Sequence, residues 1–487
     1  MTLALENSAA DTASVRARLL SVGFDEAGAR DRLGLRDLSD VTGKALPIYR
    51  RERLGERDPL ACAIELFLLQ GSLSTSEVNR LLEAPEQETL LQAGILERQG
   101  DSIHALVSLY PVGRRLIFAD HTWPQLGHGA ASIVPHDRVM YVGTDSRWLA
   151  RATARKPVGA ALDLCCGSGI HALLAASHAG SVTAVDINPR AVQFTRFNAR
   201  AMGLSNVQTL TGDLYAPVTG RLFDLITANP PFVPAPAQEI GFRDGGPTGE
   251  DVLSRIVEGL PGHLAKGGTA QIVTELGERD GEPLEHRLRP WLADAHMSVH
   301  VLRLRVHSAQ TYAIAHSSGD DPDAILDSVD RWSKNLTAQG YSRIVSVLLA
   351  FQWSDDPWFR EDEALPPTKD AGGEIEAIFA AERLARDSTL RDRLRTGTVT
   401  RTTPIALTEM RTIGARTPSV VNARLLGPAI AMEHVLDPIE REILTCMEGP
   451  IVTSELLSAA AKASVSEDTV LHAMVALVRK GIIRPEP

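Results

Sequence analysis

From about residue 124 to residue 353 the chain alternates short apolar, β-branched runs with stretches of helical spacing. The runs at 160–164, 181–186, 207–211, 223–228 and 269–274 read as strands, and two more are expected near 299–305 and 310–315. Strands that alternate with helices pack as a mostly parallel sheet, because each element must bury its apolar side against the next layer. Seven strands in this order predict a doubly wound, Rossmann-like α/β domain whose last strands form an antiparallel pair.

The flanks follow a different pattern. Residues 15–120 read as mainly helical, with an apolar helix at 61–69 and a helix over 77–82 that Ser74-Thr75-Ser76-Glu77 opens with a cap and an early acid. A second apolar stretch ends at Ala93-Gly94-Ile95-Leu96, and alternation around 103–108 and 115–118 predicts a small hairpin. Beyond Trp353 come a polar stretch (354–370) and a charged helical run (375–395). A compact unit then starts at Asp437, with helical spacing at 440–447, 454–461 and 469–478 and a wing opening at Lys480-Gly481-Ile482-Ile483. Both termini therefore read as mainly helical, winged-helix-like modules. The expected division is an N-terminal module over 1–124, an α/β domain over 125–353 and a C-terminal domain over 354–487.

Composition narrows this picture. A length of 487 residues exceeds one ordinary core, and 44% hydrophobic with 23% charged residues is a globular mix. Acids outnumber Lys and Arg 61 to 50, a net charge of −11 that opposes non-specific contact with phosphates. From Asp437 onward eight acids face five basic residues, which favours a structural or protein-contact role over DNA reading. The four cysteines, Cys62, Cys165, Cys166 and Cys446, have neither metal-ligand spacing nor a disulfide framework. Without a signal-like start or an apolar run of bilayer length, a cytoplasmic protein without membrane contact is expected.

The strongest local signal is Ala161-Leu162-Asp163-Leu164-Cys165-Cys166-Gly167-Ser168-Gly169-Ile170, a strand running into a Gly-rich turn that opens a helix. Glycines there let a ligand reach the backbone where a Cβ would collide. Such a turn by itself also suits a dinucleotide site. Three further strand ends narrow the choice. Val185-Asp186-Ile187-Asn188, seventeen residues after Gly169, places a carboxylate to accept both ribose hydroxyls. Gly212-Asp213-Leu214 offers an acid for an adenine amine and an apolar side chain for its ring. Strand four ends at Asn229-Pro230-Pro231-Phe232. Open α/β sheets bind ligands at these carboxyl ends, whereas a single acid after a strand is more often a helix cap.

Together, Asp163 to Gly169, Asp186, Asp213 and Asn229-Pro230-Pro231-Phe232 resemble the class I S-adenosylmethionine-dependent amino-methyltransferases. That group includes the glutamine methyltransferases of release factors and base-directed enzymes. Tyr141-Val142-Gly143-Thr144-Asp145-Ser146 resembles the segment covering the methionine end of the cofactor, and Arg243-Asp244-Gly245-Gly246 with Gly249 resembles the substrate-side loop of the glutamine-directed branch. The core resemblance covers about 125–320; the whole chain is similar to actinobacterial multidomain methyltransferases. It implies S-adenosyl-L-methionine as cofactor, held by Asp145, Asp163, Cys165, Gly167, Gly169, Asp186, Ile187, Asp213, Leu214 and Asn229. Cys165 departs from the family's first glycine, so its sulfur must point away from the cofactor or the cofactor must shift.

Methyl transfer to nitrogen needs a lone pair aimed in line at a sulfonium carbon. An amide or aromatic amine is a poor nucleophile, because its lone pair is delocalised. The Asn229 side-chain oxygen and the Pro230 carbonyl can accept from the NH₂ group and orient it, while Pro230 and Pro231 stiffen the loop and Phe232 stacks on a planar acceptor. Neither cysteine is needed as a nucleophile. Arg243, Asp244, Phe232 and Glu275 are candidate substrate contacts, with helix capping as the plainer role for Glu275. His307 and His316 read as surface or core residues and Trp332, Trp353 and Trp358 as packing. The expected activity is N-methylation of an amide, amine or guanidine nitrogen on a small molecule, such as an amino acid, or on a protein. The alternatives are adenine or guanine methylation in rRNA or DNA, and a non-catalytic module that kept the fold.

Overall fold

The computed structural model describes residues 12–122, 138–237, 239–410, 413 and 420–486. The chain divides into two compact units, one of Met1–Ala150, Lys156–Val301 and Arg305–Arg360, the other of Arg151–Arg155, Leu302–Leu304 and Glu361–Pro487. Among the described residues no helix is long and apolar enough to cross a membrane.

The main sheet is built from β1 (Val158–Leu164), β2 (Ala179–Asp186), β3 (Val207–Thr211), β4 (Phe223–Ala228), β5 (Leu264–Glu278), β6 (Met297–Ser308), β7 (Arg343–Trp353) and β8 (Phe359–Glu363). Their order is β3-β2-β1-β4-β5-β7-β6-β8. Strands β1 to β5 pair in parallel, and β7 runs antiparallel to β5, with Thr269 opposite Gln352 and Glu278 opposite Arg343. Strand order reverses at β1, between β2 and β4, which opens a crevice at the carboxyl ends. Helices α1 (Thr144–Ala152), α2 (Ile170–Ala175), α3 (Pro189–Ala201) and α4 (Asp251–His263) frame it. The central strands are apolar runs because both faces are covered: Phe223, Leu225, Ile226 and Ala228 of β4 are all buried.

Two expectations need correction. Among the described residues the sheet has eight strands rather than seven. The strand expected at 310–315 is a helix, α5 (Ala309–His316), in which the Thr311 amide donates to Ser308 Oγ as the cap. Alternation over six residues does not separate strand from helix, and the cap settles it. The seventh strand is instead β7, an almost continuously buried run of 11 residues. Between them lies α6 (Pro322–Ala338).

In the N-terminal segment the expected cap is present: Ser74 and Glu77 form a reciprocal capping box. The apolar helix at 61–69 is Pro59–Ala63 continued by a π-helical turn over Ile64–Leu68. The hairpin expected between 103–108 and 115–118 is two hairpins, Leu96–Gln99 with Ser102–Ala105 and Ser108–Val112 with Arg115–Ala119. Gly100 (φ 64°) and Gly113 (φ 57°) each turn the chain locally, so each strand pairs with its nearest neighbour. Ser72–Ser74 completes a three-stranded sheet on Ser102–Ala105.

The second unit contains the expected helices Pro438–Cys446, Thr453–Lys462 and Glu467–Arg479. Its charged run is two helices, Gly372–Arg386 and Leu390–Thr396. Thr398–Arg401 lies between Ile451–Val452 and Ile483–Pro485 in one small sheet. Ile405–Met410, Val420–Leu425 and Glu433–Val435 form another. The chain end thus finds its sheet partner some eighty residues upstream, at Arg401 opposite Ile483.

Candidate active site

At the end of β1 the backbone turns through three left-handed residues, Cys165 (φ 53°), Gly167 (φ 54°) and Gly169 (φ 88°). Cys165 thus holds the conformation a glycine would adopt freely, at a cost of about 1–2 kcal/mol. A Cβ on Gly167 would meet nothing within 4 Å, whereas on Gly169 it would come within 2.7 Å of Thr195 Cγ2. One glycine leaves the backbone open to a ligand; the other lets α3 pack closely. Burial beside Asp186 and Asp163 pushes both the Cys165 and Cys166 thiols well above their ordinary range. Neither therefore ionises as a nucleophile near neutral pH.

Asp186, at the end of β2, accepts from the Gly167 amide and from the Asn188 amide, each at 2.9 Å. Burial raises its pKa. Next to it Ile187 is 70% exposed. At the end of β3 Asp213 pairs with Arg255 of α4 at 2.6 Å, and Leu214 (φ 47°) is buried beside it. Asp163 lies below this surface. Its two oxygens accept from Thr227 Oγ1 and the Ala172 amide, both at 3.0 Å, and burial pushes its pKa up to about 7. It braces β1 against β4 and α2.

A cavity of about 320 Å³ joins these strand ends, lined among others by Cys165, Gly167, Asp186, Ile187, Asp213, Leu214, Asn229 and Pro231. At its inner end Asn229 Nδ2 donates to Asp145 Oδ2 (2.9 Å) and Ser146 Oγ (3.1 Å), both on α1. Two acceptors on one side fix which way the amide faces. Asn229 Oδ1 is shielded from water and has no partner among the described residues. Asp145 does not itself line the cavity; burial raises its pKa, and its contact is with Asn229.

The Asn229-Pro230-Pro231-Phe232 loop is clasped by the loop that follows it. The Phe232 and Val233 amides donate to the Arg243 carbonyl at 3.1 and 2.9 Å, and the Gly245 amide donates to Val233 O at 2.9 Å. A Cβ on Gly245 would stand 2.7 Å from Pro231 O, and one on Gly249 2.4 Å from Phe232 O, so only glycine permits this approach. Asp244 is buried and takes the Glu239 and Ile240 amides and Arg243 Nε (2.6 Å). It shapes the loop rather than facing the cavity.

The other candidate substrate contacts gather in a second cluster. Arg243 lies 5.8 Å from the Trp332 ring centroid, Tyr312 stacks on His316 at 4.1 Å, and Phe232 packs against the same group. Glu275 sits within β5, not at a helix start; it accepts from Tyr312 Oη (2.6 Å) and Ser346 Oγ (3.1 Å). His307 lies 6.4 Å from Tyr312, and Trp332 and Trp358 are buried. None of Phe232, Arg243, Asp244 or Glu275 lines the cavity itself.

Sequence reasoning passed over Arg138, Phe242, Arg255 and His171, which do line it. Arg138 stands 5.9 Å from the Phe242 ring. Both belong to segments far apart in the chain, as do Arg255 and Asp213, so no local spacing could have joined them. The rim is also tied to the N-terminal hairpin: Asn198 of α3 bonds both Phe118 backbone groups at 2.9 Å, and Arg190 pairs with Asp120.

A family model described as methyltransferase small domain matches residues 141–289, and one described as a domain of unknown function matches 12–106. Over 130 residues the chain is 39% identical to the ribosomal protein uL3 glutamine methyltransferase of Bradyrhizobium diazoefficiens, covering 24% of this chain and 40% of that protein. It is 34% identical over 139 residues to the release factor glutamine methyltransferase of Moorella thermoacetica, covering 26% and 48%. It is 33% identical over 117 residues to the ribosomal RNA small subunit methyltransferase C of an Enterobacter species, covering 24% and 31%. The chain thus spans half or less of these three relatives' own length. The main sheet and its helices have the class I methyltransferase fold, with a large mixed sheet, and the uL3 and release factor enzymes among these relatives bear out the similarity to the glutamine-directed branch.

Proposed function

We propose that this chain is an S-adenosylmethionine-dependent N-methyltransferase whose acceptor is the side-chain amide of a glutamine in a protein. The observation that carries the proposal is Asn229 Oδ1. It is a buried acceptor with no partner among the described residues, on an amide that Asp145 and Ser146 hold in one orientation. A buried acceptor left unmatched costs about 1–3 kcal/mol, so the site gains when an N–H donor arrives.

The residues present fit the cofactor. Gly167 has open space where a Cβ would stand, Asp186 keeps lone pairs for two hydroxyls, and Asp213, Ile187 and Leu214 offer an acid and apolar surface for a purine. Bound there, the cofactor supplies a sulfonium methyl as electrophile. The chain's own part is to hold and aim the acceptor. Asn229 Oδ1 and the Pro230 carbonyl accept from the two N–H groups of the amide and turn its lone pair toward the methyl carbon. Phe232 and the Tyr312–His316–Trp332 cluster beyond it offer an aromatic wall for the segment carrying the glutamine. Arg243 and Glu275 position that wall. No strong base is required, since the methylated nitrogen can release its proton to water.

In this reading residues 125–353 are the catalytic domain, and 1–124 and 354–487 are accessory domains of winged-helix-like build. The glutamine-directed relatives and the net charge of −11 favour a protein over a nucleic acid. The test is transfer of labelled methyl from S-adenosylmethionine into cell extract separated into protein, nucleic acid and small molecules. Label in protein that yields N5-methylglutamine on enzymatic digestion, and falls about 100- to 1,000-fold with Asn229→Ala, is expected. Label in RNA or DNA would replace this proposal with base methylation.

A further inference from the structure

His171, in the first turn of α2, is 4% exposed and lines the cavity. Neither of its ring nitrogens has a hydrogen-bond partner among the described residues. Burial alone drives its pKa down to about 3, with no charged group acting on it, so the ring is neutral and carries one N–H and one bare nitrogen. Its helix neighbours Ile170, Leu173 and Leu174 fill one apolar core and Ala172 and Ala175 another, whereas the buried His171 side chain lines the cavity. A phenylalanine or leucine would cover the same space without two stranded polar atoms, whose burial is costly unless something in the cavity meets them.

Its place in the fold says what that is. Asp186 and Asp213 end β2 and β3, on one side of the switch point, and serve the ribose and the adenine in the reading above. Asn229 and Ser146 stand on the other side, at the end of β4 and on α1. His171 follows the turn that leaves β1, between these two groups. The part of the cofactor lying beyond its ribose, toward Asn229, is the amino-acid end. We propose that His171 binds that end of S-adenosylmethionine, donating its ring N–H to the carboxylate. This rests on the methyltransferase reading.

The test is calorimetric binding of two ligands that differ only at that end. S-adenosylhomocysteine carries the amino-acid group; 5′-methylthioadenosine keeps the sulfur, ribose and adenine and lacks it. His171→Phe is expected to weaken S-adenosylhomocysteine about 10- to 100-fold, the range for a hydrogen bond to a charged group, and to leave methylthioadenosine within twofold. His171→Gln, which retains a donor, is expected to recover most of the loss. Equal weakening of both ligands, or of neither, would overturn the proposal. Binding of neither by the unaltered protein would instead sink the methyltransferase reading beneath it. Should the Phe variant fail to fold, histidine-labelled native protein decides: the His171 ring resonances, assigned with His171→Gln, must move with S-adenosylhomocysteine and stay nearly still with methylthioadenosine. Still resonances with both, while both bind, would refute the contact.

Discussion

At the β2–β3 end of the cavity Ile187 is 70% exposed and Asp213 shares an open ion pair with Arg255, whereas at the β1–β4 end Asn229 Oδ1 and both nitrogens of His171 are shut away from water without partners among the described residues. The first end, the wet one, is open to water at Ile187 and Asp213, although burial raises the pKa of Asp186 next to Ile187. Its polar groups are satisfied before any ligand comes, and a ligand gains there only the difference between two sets of hydrogen bonds. The second end is dry. Its polar atoms already bear the cost of desolvation, so a matching donor or acceptor gains close to a full hydrogen bond. In the proposed reaction, affinity for the purine part can be distributed over many modest contacts. Aim at the reacting nitrogen cannot, and it falls to the few atoms held rigidly in the dry end.

The largest effect expected from this contrast is a pH dependence of stability around Asp163, which lies beneath the dry end. Its folded pKa of about 7 exceeds the ordinary value of 3.8. The stability it contributes is therefore fully present below about pH 4 and lost as pH rises through about 7. A shift of that size corresponds to roughly 2–4 kcal/mol between those limits. Denaturant unfolding of the native protein and Asp163→Asn at pH 5 and pH 8 should show the native protein's advantage shrinking by an amount of this order. An unchanged gap would mean the dry end is wetter than its geometry indicates.

A smaller effect separates aim from binding. Asp145→Leu leaves Asn229 Nδ2 with Ser146 alone, so the amide can turn. The turnover rate is expected to fall about 10- to 100-fold while cofactor affinity changes little. Thermal stability should hold or rise, because a carboxylate that burial disfavours has been removed. A matching loss of affinity would show that Asp145 touches the cofactor itself. The smallest effect belongs to the wet end: Asp213→Asn should weaken cofactor binding less than tenfold, since side chains about half exposed are screened by water. Calorimetric titration in low and high salt checks it. A hundredfold loss would erase the distinction between the two ends.

The order and type of most elements in and around the main sheet were legible because strand-length apolar runs and cap residues are local signals. So were the positions at strand ends, Gly167, Asp186, Asp213, Leu214 and Asn229, since each follows its strand directly and the cavity gathers all of them. The exceptions are instructive. Residues 310–315 carry a period compatible with strand or helix, and only the Ser308 cap and the packing of Tyr312 against His316 and Trp332 choose the helix. The strand 398–401 has partners near residues 451 and 483, and a segment so short gains its ladder only from such distant strands.

By itself the sequence determined that β1 to β5 form, that β1 ends in a turn open to a ligand and that an asparagine begins the loop after β4, because backbone propensity and periodicity act over a few residues. Only the tertiary structure decided that Asp145 holds Asn229 in one orientation and that Asp244 is a loop brace. The same holds for His171, stranded in the dry end, and for Arg255, paired with Asp213 across 42 residues of chain. The reason is physical. Whether a polar atom is satisfied depends on every group that packing brings within 3 Å of it, and nearly all of those groups come from elsewhere in the chain.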